Sequence, residues 1–246
     1  MTNDIDEHPL FCSLRESVQQ ANADLSSLHN AAKILASRPA EVADFLVFSA
    51  QEHTIWKNIA DHSYCHPNGF TKFLLYGAAG SLFRLRLHVW TGDHAQVLLQ
   101  EGQNVHGHRW NFGSAVVAGP RLQIDEYVES DTSGTPYQRY AYKTDVGASD
   151  TGLEPTGQAL LEPSVSYALA THETYVCGID RLHTVRSASS ELTATIIVQG
   201  PVLLPSAPVF RRFDQEPQAG PQPMAEIDAR RVFDATIDAA RRWLDS

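Results

Sequence analysis

The stretch with the most chemical content is His106-Gly107-His108-Arg109-Trp110-Asn111-Phe112, which continues as Gly113-Ser114-Ala115-Val116-Val117-Ala118-Gly119. Two histidines stand one residue apart at the head of a run that reads as a buried strand closed by a glycine turn. Alternate side chains of a strand share a face, so His106 and His108 are expected to project the same way. Trp110 and Phe112 fall on that face too, as walls that exclude water or as barrel core. Imidazole is the commonest protein ligand for a metal ion, and two on one rigid face supply half of a site. Two imidazoles hold an ion weakly. The chain offers two more downstream, His172 and His183.

Upstream, Phe83-Arg84-Leu85-Arg86-Leu87-His88-Val89-Trp90 alternates strictly, with Arg84, Arg86 and His88 on one strand face and Leu85, Leu87 and Val89 on the other. If the polar face lines a barrel, it makes a polar pocket in which Arg86 binds an anion. If it faces out, it only aids solubility. Lys72 is a candidate substrate anchor, against the ordinary tendency of a strand lysine to snorkel to water. Tyr140, Tyr142, Tyr167 and Tyr175 lie in β-rich segments and could each supply a hydroxyl.

The elements that must position these groups divide the chain in three. Residues 1–62 read as an acidic tail and a helical cap, with helices expected over Ser13–Ser37 and Ala40–Asp61 on either side of Pro39. The turn cluster at Tyr64–Gly69 opens a β-rich region, residues 63–205. Its strands are expected at Phe70–Tyr76, Ser81–Trp90, Gln96–Glu101, Arg109–Val117, Leu122–Glu129, Pro136–Thr144, Ser164–Val176 and Thr193–Val198. Short strands at this spacing predict a sandwich or barrel. Residues 206–246 are expected to hold an extended, proline-rich connection and a last helix from Met224 to Leu244.

Composition narrows the function. A net charge of −10 argues against a nucleic-acid surface, which needs a basic stripe. The three cysteines, Cys12, Cys65 and Cys177, are too scattered for a disulfide framework or a CxxC metal site. No run approaches membrane-spanning length and Met1–Glu7 lacks an apolar signal core, so a cytoplasmic protein is expected. There is no Gly-x-Ser-x-Gly elbow, phosphate loop or dinucleotide fingerprint.

From Tyr64 to Pro205 the sequence resembles the cupin superfamily, and within it the cysteine dioxygenase-type branch. The resemblance is carried by His106-Gly107-His108, the apolar strand ending Arg86-Leu87-His88-Val89-Trp90, and Phe70-Thr71-Lys72. It also includes Leu182-His183-Thr184-Val185 and Ile196-Ile197-Val198-Gln199-Gly200-Pro201. The resemblance implies a mainly β double-stranded β-helix, a cupin or jelly-roll barrel, here with an N-terminal helical cap and a C-terminal helix. It implies His106, His108 and His183 as ligands of Fe(II), or of another divalent metal such as Zn, Mn or Ni.

The chain also departs from that pattern. Phe112 and Gly113 stand where cupins commonly place a Glu ligand. Gly113 and Gln199 stand near the positions of a Cys–Tyr crosslink, and Lys72 replaces a carboxylate-binding Arg.

The expectation is a non-haem iron oxygenase, a dioxygenase acting with dioxygen on a small polar, amino-acid-like or thiol-bearing substrate. Lys72, Arg86 and Trp110 would serve the reaction, and a homodimer is compatible. The alternatives are a non-oxidative metal-dependent isomerase or lyase, and a non-catalytic small-molecule-binding cupin.

Overall fold

The structure is a computed structural model that describes residues 4–77, 80–92, 103–143, 152–214 and 221–244. After a 3-10 turn at Asp4–Glu7 come four helices: α1 (Pro9–Gln19), α2 (Leu25–Ser37), α3 (Pro39–Gln51) and α4 (His53–Asp61). The sequence predicts two helices where four form. The first break has a local cause. Asn22 and Ala23 adopt positive φ of 50° and 58°, and the Asp24 side chain then caps α2 by accepting from the Ser27 N–H at 2.7 Å. The second break is at Glu52, whose extended backbone separates α3 from α4.

The strands that follow are β1 (Tyr64–His66), β2 (Phe70–Tyr76), β3 (Arg84–Trp90), β4 (Val105–His106), β5 (Phe112–Ala118) and β6 (Leu122–Ser130). The second half supplies β7 (Thr135–Tyr142), β8 (Leu153–Leu169), β9 (Thr174–Cys177), β10 (Leu182–Ser187), β11 (Thr193–Gln199), β12 (Ala207–Arg212) and β13 (Gln222–Pro223). Helix α5 (Glu226–Arg242) ends the described chain. The strand expected at Gln96–Glu101 lies outside the described residues.

These strands form two antiparallel sheets. The first runs β13-β1-β2-β3-β11-β5-β9, and the second closes on itself as β10-β4-β12-β7-β8-β6. From β3 to β6, and again from β8 to β12, successive strands alternate between the sheets, as a double-stranded β-helix requires. The fold is therefore mainly β, the jelly-roll barrel that the sequence predicts, with its helical cap and C-terminal helix.

Each face of the first sheet has its own partner. Leu85, Leu87, Val89, Ala115, Ile196 and Val198 face the helices, where Phe11, Leu28, Phe45, Phe73 and Phe233 complete the largest core. Phe70, Phe112, Val116 and Ile197 point the other way and meet Leu122, Ile124 and Val185 of the second sheet. Gly113 marks the closest approach of α2, since a Cβ there would overlap the Leu28 carbonyl.

One boundary needs correction. Residues 207–212, expected as part of an extended connection, are a barrel strand paired to both β4 and β7. The prolines at 201, 205 and 208 hid the alternation of Ala207, Val209 and Arg211 with the buried Phe210.

Candidate metal centre and its cavity

His106 ends β4, directly opposite His183 on β10 and Val209 on β12. His108 lies outside any strand, so the two histidines do not share a face through strand parity as expected. A tight connection brings them together instead. The Gly107 N–H donates to the Pro208 carbonyl at 2.9 Å, and a Cβ on Gly107 would press on the Pro208 ring. The following residues are pinned as well. The Leu203 N–H donates to the Arg109 carbonyl at 2.8 Å, the Gly200 N–H to the Asn111 carbonyl at 2.9 Å, and the Ile179 N–H to Asn111 Oδ1 at 3.0 Å. His108 is thereby held by two distant loops rather than by a ladder.

The three imidazoles converge. One ligand atom of each of His106, His108 and His183 lies within 4.8 Å of the others, and their ring centroids are 4.9–5.0 Å apart. Nε2 of His108 and Nε2 of His183 are 2.9 Å apart. An ion bound at about 2.1 Å to two nitrogens at near-right angles brings them to about 3 Å, so this pair has the spacing of common ligands. Nδ1 of His106 donates to the Asn104 carbonyl at 3.1 Å, which leaves Nε2 with its lone pair. Nδ1 of His183 stands 3.9 Å from the Cys177 thiol.

Burial holds all three below the ordinary histidine pKa. For His108 and His183 the shift is large, deepened at His108 by His106, His183, Arg86 and His88, and at His183 by His106 and Arg181. Neutral imidazoles are the form that binds a metal. The donor set therefore fits a divalent ion.

His172 is not part of this group. Its Nε2 bonds the Trp243 carbonyl at 2.8 Å and ties the end of α5 to the turn before β9.

The histidines open on a cavity of about 180 Å³, below the roughly 300–1,000 Å³ of drug-sized sites. Its wall settles the orientation of β3: Arg86 and His88 face inward, while Leu87 faces the helices. Arg86 lies 4.8 Å from the centre of the Trp110 ring, and that ring is 5.9 Å from His108. Lys72 also faces the cavity and donates to the Tyr64 hydroxyl at 2.6 Å. Lys72, Arg86 and Trp110 thus share one cavity with the three histidines.

Burial, with Arg86 and Arg84 adding repulsion, drives the Lys72 amine well below its usual pKa. Burial likewise brings Arg86 down to about 10 and raises Tyr64 to about 12.

Sequence reasoning missed Tyr64 and His66, which it assigned to a turn. They belong to β1, and His66 stacks on Phe70 at 4.4 Å, which stacks in turn on His88 at 4.3 Å. The available signal was the alternation of Tyr64 and His66 with Cys65. Of the four tyrosines considered, Tyr142 and Tyr175 line the cavity. Gly113 faces α2 and offers no side chain to the cavity, so a crosslinked cysteine has no place there.

No family model matches the chain, and no curated protein matches it. Among solved structures it is similar to a chain of the DMSP lyase structures RdDddP and RnDddQII, at 13% identity and TM-score 0.31. That match covers 58% of this chain and 52% of the other, so the chain spans about half the length of that relative. It is similar to Rru_A2000 from Rhodospirillum rubrum, a cupin-2 domain, at 11% identity and TM-score 0.29, covering 70% and 80%. It is also similar to hydroxypropylphosphonic acid epoxidase from S. wedmorenis, at 11% identity and TM-score 0.33, covering 76% and 94%.

Proposed function

We propose that the chain is a metal-dependent enzyme of cupin type, a mononuclear non-haem Fe(II) oxygenase acting on a small polar substrate. The observation that carries this reading is the convergence of His106, His108 and His183 on one wall of an internal cavity. A three-histidine ligand set leaves coordination positions open, and Fe(II) there would supply one-electron chemistry with dioxygen.

The chain's own residues do the rest. Trp110 and Phe112 flank His108 at ring distances of 5.9 and 4.9 Å and would narrow the access of water to it. The small cavity restricts the substrate's orientations. Lys72, held toward its neutral form and bonded to Tyr64, can take or return a proton at Nζ.

That same pair favours a second reading, a non-oxidative lyase or isomerase using Zn, Mn or Ni. Elemental analysis tests the premise common to both. Purified protein should carry one metal per chain, and His106→Ala and His183→Ala should lose it by more than the roughly 100-fold that loss of an outer-sphere partner costs. Protein with no metal, or variants that keep it, would end both readings. Dioxygen uptake with small thiols and amino acids separates them, because turnover undiminished under anaerobiosis excludes the oxygenase.

A further inference from the structure

The cavity around the histidines holds a buried guanidinium, that of Arg86, with no acidic partner among the described residues. Arg86 is 9% exposed, and its Nε has no hydrogen-bond partner among the described residues. None of the ion pairs among the described residues includes Arg86 or Lys72. Nε2 of His88 and Nε of Arg211, both on the cavity wall, are also without partners there.

The described lining includes Lys72, Arg86, Arg109 and Arg211 and no Asp or Glu, in a chain whose net charge is −10. An unpaired buried charge is costly, and a divalent ion on the histidines would add two more positive charges to the same space. No described residue supplies the negative partner that Arg86 calls for, and a bound anion would supply it.

We infer that the substrate carries an oxyanion, either a carboxylate or a tetrahedral phosphonate- or sulfonate-type group, and that Arg86 receives it, flanked by His88. It rests on reading this cavity as the reaction site, and it goes further in naming what fills it.

Two observations select Arg86 over Lys72 as the receiving group. The Lys72 amine is already engaged with Tyr64 at 2.6 Å, whereas the Arg86 Nε–H is free. A guanidinium also offers two parallel donors to an oxyanion where an ammonium offers a point charge. Trp110 packs against both Arg86 and His108, so the oxyanion and the histidine-facing end of the ligand are neighbours. With about 180 Å³ available, the ligand is a compact molecule, anionic at one end and reactive a few atoms away.

Acetate, methylphosphonate and neutral acetamide, titrated into the purified protein and into the chelator-stripped protein, test this by tryptophan fluorescence and calorimetry. Both proteins should bind at least one of the two anions saturably and acetamide far more weakly, and the preferred anion identifies the headgroup. Arg86→Gln should weaken anion binding about tenfold or more while leaving metal content unchanged, and Arg86→Lys should recover part of it. Anion binding by protein that holds no metal would uphold the subsite while the metal reading failed. Acetamide binding as tightly as acetate would overturn the inference, as would wild-type anion affinity in Arg86→Gln. If Arg86→Gln does not fold, the acetate–acetamide comparison on the unaltered protein decides the matter alone.

Discussion

Strand β3 has two faces with opposite chemistry. On one, Leu85, Leu87 and Val89 are fully buried against the helices and contribute to the largest apolar core. On the other, Arg86 and His88 are sequestered in the cavity with Nε and Nε2 unpartnered among the described residues. The first arrangement lowers the free energy of folding, while the second raises it. A sheet that bears both within seven residues uses one side to hold the protein together and spends part of that stability on the other.

Exchanging the character of each face would break this contrast. Leu87→Ala should have the largest effect on stability, a loss of about 2–5 kcal/mol in urea unfolding, because it leaves a cavity in a tightly packed layer. Metal content should survive in the fraction that remains folded.

Acid should come next. Burial holds His66, His88, His108 and His183 well below the ordinary value of 6.5, so the unfolded chain takes up protons that the folded chain refuses. The unfolded state then binds more protons, and stability must fall as pH drops below about 6.5. Urea midpoints of metal-free protein at pH 7 and pH 5 should show this loss, and equal midpoints would contradict the buried, neutral histidines.

The smallest effect has the opposite sign. Arg86→Met should raise stability by about 1 kcal/mol, since it removes a buried charge that lacks an acidic partner among the described residues. A destabilised Arg86→Met would mean that the inner face also supports the fold.

Much of this division was legible in the sequence. The period of two in β3 separated its apolar and polar sides, and the span of β2 was readable residue for residue, because alternation is a local consequence of the pleat. The His106-Gly107-His108 pair and His183 were recognisable as metal-binding residue types. How they meet was not. His108 was expected on a strand face, whereas it sits in a connection held by the Arg109, Asn111 and Gly107 backbone contacts to residues nearly a hundred positions away. Strand β12 was hidden among prolines, and β1 inside an apparent turn, since short strands draw their stability from neighbours rather than from their own pattern.

By itself, then, the sequence determined the β-rich class, the helical cap and the candidate donors, because residue type and periodicity are properties of the local chain. Only the tertiary structure decided which side of β3 looks inward, that His172 is tied to the end of α5 instead of joining the other histidines, and that no described carboxylate shares the cavity with Arg86 and Lys72. Those outcomes depend on which strands pair and in what register, and pairing is set by burial summed over the whole fold.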